Sequence, residues 1–196
     1  MDTRIMKTCM KKLIALAIIA APGLAVAATD PALGTITFQG LVTDQTCTAT
    51  INGATGNATV TLPTVSSSML ASANATAGST PFTLGVTGCN TASVQQTVLA
   101  RFQGVSVDAN GNLTNTASGG ATNVALQLLN STGGALIDLR ASAASVFAGW
   151  NVASTGIVLG GAASGTHDYA VQYISVPGGA TAGRVVGATQ YAIAYQ

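Results

Sequence analysis

The sequence predicts an all-β fold, an antiparallel sandwich. Short segments rich in β-branched and aromatic residues recur along the chain, separated by clusters of Gly, Asn, Ser and Thr, a pattern typical of strands and turns. Several segments alternate, so that Val124, Leu126 and Leu128 oppose Gln127, as expected for strands with one buried face. Only residues 66–73 have a helical pattern, for a turn or two. Strands without intervening helices favour a sandwich.

The N-terminal segment has the pattern of a secretory signal peptide. A basic stretch, residues 1–12, precedes an apolar run at 13–21, and small residues follow at 25–27. We expect cleavage after Ala27 and removal of residues 1–27. The apolar run is too short and wrongly flanked for a permanent membrane helix, so the chain is expected to be exported.

The mature chain, residues 28–196, is almost free of charge. It holds three arginines, five aspartates and no lysine or glutamate, for a formal charge of −2. Scattered arginines cannot form the basic face that nucleic acid requires, and an anionic membrane surface is disfavoured for the same reason. The length suffices for one domain that buries about 70% of its unfolded surface. Since hydroxyls and amides supply the polar surface, little charge opposes self-association.

Two cysteines, Cys47 and Cys89, remain after Cys9 leaves with the signal peptide. A pair in an exported chain is most simply a disulfide. It would restrain the unfolded state by about 4 kcal/mol on the chain-entropy model. A redox role favours a closer pair, and a zinc site needs more ligands than these cysteines and the lone histidine supply.

Strands are predicted from the segments rich in β-branched or aromatic residues, at 34–43, 58–62, 81–87, 97–107, 123–130, 135–139, 167–176 and 184–195. Glycine-containing turn signals separate them, at 108–111, 118–120, 131–134 and 177–179.

The sequence offers little acid–base or ligand chemistry. His167 adjoins Asp168, but neighbouring side chains on a strand point to opposite faces and are poorly placed to bond each other. The glycine-rich stretch 160–165 is not followed by the lysine of a phosphate-binding loop. Trp150 and the tyrosines are spread along the chain, which disfavours a sugar-stacking platform. We expect no catalytic residues, no cofactor and no metal site.

Both ends of the mature chain carry an alternating strand. The last one places Thr189, Tyr191, Ile193 and Tyr195 on one face and ends at the carboxylate. If it lies at a sheet edge, it leaves backbone donors and acceptors open to another chain. The other segment, ahead of the first cysteine, carries Gly34, Ile36 and Phe38 on one face; an ordinary first strand of the sandwich is the alternative interpretation.

The chain resembles the major pilins of type 1 fimbriae, which are assembled by the chaperone–usher route. The motifs that carry the resemblance are residues 34–42 before Cys47, residues 81–89, residues 121–129 and the last strand. The family pattern also has a glycine fourteenth from the C-terminus and an aromatic residue next to last. In this chain these are Gly183 and Tyr195.

The resemblance implies an incomplete immunoglobulin-like antiparallel sandwich that lacks its final strand. Residues 28–40 are then an N-terminal donor-strand extension and residues 41–196 the pilin domain. Gly34, Ile36 and Phe38 would be the donor residues. The strand that borders the receiving groove and contacts the chaperone would involve Gly183, Tyr191, Ile193, Tyr195 and Gln196.

The function implied is that of a non-catalytic structural subunit of an adhesive fimbria, polymerising head-to-tail by donor-strand exchange. Its partners would be other copies of the subunit, a periplasmic chaperone and an outer-membrane usher, and its location the cell-surface fimbrium. A one-domain minor or tip pilin with carbohydrate-binding adhesin activity is the alternative. An exported β-sandwich enzyme is disfavoured because acid–base groups are missing.

Overall fold

The alternating segments form strands in a computed structural model, which describes residues 47–90, 97–140 and 156–195 and the backbone of 151–152. The strands are β1 (Thr48–Ile51), β2 (Ala54–Thr55), β3 (Ala75–Thr87), β4 (Thr97–Gly104), β5 (Leu113–Thr114), β6 (Ala125–Leu129), β7 (Asn151–Val152), β8 (Ile157–Val158), β9 (Ser164–Ser175) and β10 (Thr189–Tyr195). One turn of 3-10 helix, Ser67–Leu70, begins after Ser66, whose side chain accepts a hydrogen bond from the Ser68 backbone N–H.

The strands pair antiparallel in two sheets. The first has the order β2-β1-β3-β9-β6-β5, and the second has the order β10-β4-β7, with β8 also paired to β4. The longest pairing joins β3 to β9 and contains a bulge between Ala77 and Thr80. The predicted fold class, an antiparallel immunoglobulin-like sandwich, is confirmed.

The core lies between the two sheets. Phe82, Leu84 and Val86 of β3 are buried, as are alternate residues of β4, because every second side chain of each strand points inward. Tyr169 of β9 is fully buried and joins the layers: its ring centroid lies 5.7 Å from that of Phe82 and 5.1 Å from that of Phe102 on β4. Such aromatic contacts stabilise the fold by about 0.5–1.5 kcal/mol each, in addition to the contribution from the area they bury.

The predicted disulfide between Cys47 and Cys89 is confirmed, with the two Cα atoms 4.3 Å apart. It links the residue before β1 to the chain just after β3, next to the register pair Thr48 and Thr87. The bond therefore fixes one end of the β1–β3 ladder, and the entropic stabilisation of about 4 kcal/mol applies to the loop that it closes.

Two predicted strands are wrong. Residues 58–62 form no strand, although Val60 and Leu62 are partly buried against the core. Residues 135–139 make only an isolated bridge, Leu136 to Leu129, although Ile137 is buried. In both segments the side chains alternate toward the core as the pattern indicates. A strand also needs a continuous backbone partner, which these segments lack among the described residues.

The other predicted strands that fall within the described residues are present with shifted bounds. The segment predicted at 184–195 pairs as a strand only from Thr189, and the strand predicted at 34–43 lies outside the described residues. The signal peptide at 1–27 and the extension at 28–40 also lie outside them. Within the described ranges, no helix reaches the length and apolar character needed to cross a membrane.

Candidate functional site

Strand β10 is an edge strand of the second sheet in the described structure. It pairs with β4 along its whole length, from Thr189 opposite Gly104 to Tyr195 opposite Val98. Among the strands that the structure describes, none pairs with its other side. This side therefore presents backbone donors and acceptors over seven residues, a row to which a further strand can bind.

The inner side chains of β10 are less buried than those beside them on β4. The cross-strand pairs are Tyr191–Phe102, Ile193–Ala100 and Tyr195–Val98. The β4 members are at most 1% exposed, whereas the β10 members are only partly buried, although both sets face the same core. Burial thus decreases toward the edge, and an apolar surface beside β10 is left partly uncovered.

The β1–β2 hairpin, at one edge of the first sheet, contacts β10. The Tyr191 hydroxyl donates a hydrogen bond of 3.1 Å to the carbonyl oxygen of Gly56, just after β2. Ile51 at the end of β1 is buried in the same core as Ile193. The partly uncovered surface, which we call the slot, is therefore bordered by β10 on one side and reaches toward this hairpin on the other.

The chain enters β10 through a short crossing between the sheets. Gly187 passes so close to the first sheet that a Cβ atom would lie 3.1 Å from Leu113 and from Leu126. Upstream, the Val186 N–H donates to the Asn115 side chain, and downstream the Ala188 carbonyl accepts from the Val105 N–H. Residues 184–188 therefore leave the first sheet and join the second, which is why β10 begins later than predicted.

Asn115 fixes this crossing. Its side-chain Nδ2 donates to the carbonyl oxygens of Ala121 (2.8 Å) and Arg184 (3.0 Å), and its Oδ1 accepts from the N–H groups of Ala117 (3.0 Å) and Val186 (2.9 Å). The role of this residue is not predictable from the sequence, because a single Asn in a polar stretch carries no signal of partners some 70 positions away.

Gly183 lies outside β10. A Cβ atom there would come within 2.4 Å of the Ala121 backbone nitrogen, so only glycine fits beside this segment. Gly183 also lines a cavity of about 370 Å³, together with residues that include Leu70, Val124 and Tyr173. The structure does not bring Gly183 together with the inner side chains of β10.

Among the described residues, only uncharged ones border the slot. The surface ion pair between Asp138 and Arg140 is located elsewhere, where Arg140 also donates to the Ala109 carbonyl. The hydrogen bond from the Arg140 side chain lowers the pKa of Asp138 below its usual value. With no charge to satisfy, the slot is suited to an apolar strand that supplies backbone hydrogen bonds.

His167 and Asp168 point to opposite faces, as predicted. The His167 Nε2 lies 2.8 Å from the Asn130 carbonyl oxygen, and its ring packs 4.5 Å from that of Tyr169. Asp168 accepts a hydrogen bond from the Thr83 hydroxyl instead. No group of three or more His, Cys, Asp or Glu side chains that could hold a metal occurs in the described part of the chain.

Four of the predicted site residues cannot be placed. Gly34, Ile36 and Phe38 of the extension, together with Gln196 at the C-terminus, lie outside the described residues, and their roles stay predictions.

Comparison with known proteins gives consistent matches over most of the chain. The fimbrial protein family model matches residues 36–196. The F17 fimbrial protein of Escherichia coli is 46% identical over 167 residues, covering 83% of this chain and 87% of that protein. The major fimbrial subunit SMF-1 of Stenotrophomonas maltophilia (strain K279a) is 40% identical over 171 residues, covering 86% and 95%. The minor fimbrial subunit HifD of Haemophilus influenzae is 39% identical over 102 residues, covering 51% and 46%. The chain therefore belongs to the fimbrial protein family and is a fimbrial subunit.

Proposed function

We propose that this fimbrial subunit is a structural pilin that polymerises head-to-tail by donor-strand exchange. The observation that carries the proposal is the burial gradient at the edge of the second sheet: Tyr191, Ile193 and Tyr195 face the core but are only partly covered, beside fully buried partners on β4. An added strand would complete the backbone ladder and cover these side chains. The addition of a strand to an exposed sheet edge is a general mode of protein recognition, and the donor-strand pairing of pilins is one example of it.

The added strand would come from residues 28–40 of another copy. On its apolar face this segment alternates Gly34, Ile36 and Phe38, which matches the period of two needed to place successive side chains in an uncharged slot. Burying Ile36 and Phe38 would stabilise the contact by roughly 1.5–3 kcal/mol each. Backbone hydrogen bonds along β10 would add to this.

A donor segment and a separate slot on one molecule make a heterologous contact. Such a contact does not close on itself unless its rotation forms a ring, so identical copies give a filament. The mature chain carries few charges that would oppose this association. The product is an adhesive fimbria in which each copy completes the sheet of its neighbour.

Before assembly, the slot needs a temporary cover. We assign this role to a periplasmic chaperone, which would bind along β10 and the carboxylate of Gln196 and deliver the subunit to an outer-membrane usher. An uncovered apolar edge strand is an aggregation hazard during export. The signal-peptide pattern at 1–27 supports this route through the periplasm, and the chain itself would have no catalytic role.

The coverage of the relatives favours a shaft subunit over a minor one. The match to the major subunit SMF-1 extends over 95% of that protein, whereas the match to the minor subunit HifD extends over 46% of it. Binding of the isolated subunit to a glycan array would instead favour an adhesin role.

The test is to delete residues 28–39 and to co-express the remainder with the matching chaperone. We expect a soluble one-to-one complex that forms no filaments but still accepts a synthetic peptide of residues 28–40. The full mature chain with the same chaperone is the positive control, and a peptide carrying Phe38→Asp is the negative one. Normal filaments from the truncated chain would refute the proposal.

A further inference from the structure

We propose that the surface where β10 begins, marked by exposed Val105 and Val186, docks against the disulfide-bonded end of the next copy in the filament. This inference rests on the donor-strand exchange proposed above. It adds a second contact between neighbouring copies, made by the folded domains rather than by the donor strand.

The sandwich has two distinct ends. At the disulfide end, β1 and β9 begin, because Thr48 pairs with Thr87 and Thr87 with Ser164. The same end contains the last residue of β10, since Tyr195 pairs with Val98, which also pairs with Ile157 of β8. A Cβ on Gly165 would lie 2.4 Å from Ile157, which joins the two sheets there. The opposite, lower end contains Thr189 and Gly104, where β10 begins.

The direction of the donor strand decides which ends meet. Every described pairing in the second sheet is antiparallel, and purely antiparallel sheets are favoured over mixed ones. A donor antiparallel to β10 has its residue 34 near Tyr195 and its residue 40 near Thr189. Only residues 41–46 then separate the donor strand from Cys47.

The length of this connection brings the domains together. The seven steps from residue 40 to Cys47 span at most about 25 Å, even when fully extended. The disulfide end of the incoming copy must therefore lie within about 25 Å of the lower end of the receiving copy. This is the head-to-tail order that a straight filament needs, whereas a parallel donor would bring two disulfide ends together.

The lower end carries the apolar surface that such a contact needs. Val105 is 65% exposed and Val186 is 37% exposed. The two belong to adjacent segments, because the Val105 N–H donates a 3.0 Å hydrogen bond to the carbonyl of Ala188, two residues after Val186. Single exposed aliphatic residues are common on surfaces, but these two lie together at the place where the short connection holds the next copy.

The disulfide end presents a matching surface. Val158 on β8 is 71% exposed beside the start of β4. Four other described residues at this end are exposed, small and uncharged: Thr87, Gly88, Ala163 and Ser164. Among its described residues, this end therefore brings no charged side chain against Val105 and Val186.

Thiol cross-linking tests the contact directly. Because both mature cysteines are in the disulfide, copies carrying Val186→Cys and copies carrying Val158→Cys can be mixed, polymerised and treated with a short bismaleimide. We expect cross-linked dimers from this mixture. Leu136→Cys in place of Val186→Cys is the matched control, because Leu136 is 40% exposed but lies beside β6, and it should give none. Equal cross-linking of both mixtures, or none of either, would refute the contact.

A second measurement separates this inference from donor-strand exchange itself. The double variant Val105→Asp, Val186→Asp should bind the donor peptide of residues 28–40 as the unchanged chain does, yet form shorter and more flexible filaments in electron micrographs. Filaments with unchanged length and stiffness, or loss of peptide binding, would refute the inference. If the unchanged chain bound no donor peptide, the proposed function would fail as well.

Discussion

The Tyr191 hydroxyl donates a 3.1 Å hydrogen bond to the Gly56 carbonyl oxygen and so links the edge strand of one sheet to the hairpin at the edge of the other. The bond closes the sandwich at the side where strand β10 has no described partner. It therefore holds the slot in shape without filling it.

Removing this hydroxyl tests its role. Tyr191→Phe should lower the free energy of unfolding by about 0.5–1.5 kcal/mol, the usual net contribution of one hydrogen bond, and near the lower limit because the bond is exposed. Urea unfolding of the subunit measures it. Tyr195→Phe is the control, since no hydrogen bond from the Tyr195 hydroxyl occurs within the described ranges; an equal loss in both variants would contradict the assignment.

Tyr169 offers an opposite case, in the centre of the core. Its ring is fully buried between Phe82 and Phe102, and its hydroxyl has no hydrogen-bond partner among the described residues. A buried unsatisfied hydroxyl costs about 1–3 kcal/mol. Tyr169→Phe should therefore raise the free energy of unfolding by about 1 kcal/mol in urea. A decrease would show that the hydroxyl is satisfied.

The same hydroxyl predicts a pH dependence. Burial raises the pKa of Tyr169 to about 12 from its usual 10.0. Above pH 10 the unfolded chain releases this proton while the folded chain retains it, so stability falls as the pH rises through this window and levels off near pH 12. The loss should be smaller in Tyr169→Phe than in the unchanged chain, as measured by thermal melts between pH 9 and pH 11. Identical slopes would contradict it.

The fold could be predicted from the sequence wherever one face of a strand is buried. In β4, Val98, Ala100 and Phe102 alternate with half-buried residues, and this period of two is directly visible in the sequence. The segments at 58–62 and 135–139 show the same alternation, yet pairing depends on which backbone passes alongside. No local pattern encodes that neighbour.

The candidate site could be predicted only in part for a related reason. The common face of Tyr191, Ile193 and Tyr195 follows from alternation, but the edge position of β10 depends on the order of all strands in the sheet. The role of Asn115 in holding the crossing between the sheets could not be predicted. Its side-chain amide makes hydrogen bonds to the backbone of Arg184 and Val186, which are distant in the sequence.

Asn115 should therefore control how firmly β10 is held. Asn115→Ala removes four hydrogen bonds to backbone groups, and at roughly 0.5–1.5 kcal/mol each, reduced where water replaces them, we expect a loss of about 2 kcal/mol. Hydrogen exchange should quicken at residues 184–188 first. Asn57→Ala, at an exposed position, is the control and should change neither quantity. Slow exchange at 184–188 in Asn115→Ala would show that other contacts hold the crossing.

Donor and slot variants should behave as complementary halves of one contact. Phe38→Asp places a charge in the donor strand, so this copy should bind the chaperone normally but should not exchange into a neighbour. Ile193→Asp places the charge in the slot, where Ile193 is only partly buried, so this copy should still donate but bind chaperone and donor peptide poorly. Each variant alone should form no filaments, because every junction needs one intact donor and one intact slot.

Mixing the two variants sharpens this prediction. The intact donor of an Ile193→Asp copy can enter the intact slot of a Phe38→Asp copy, and the remaining ends of this pair are both defective. The mixture should therefore give dimers and nothing longer, measured by size-exclusion chromatography with light scattering, while each variant alone stays monomeric or chaperone-bound. Circular dichroism of both variants verifies that they fold. Filaments from the mixture, or dimers from either variant alone, would contradict a contact made from two different surfaces.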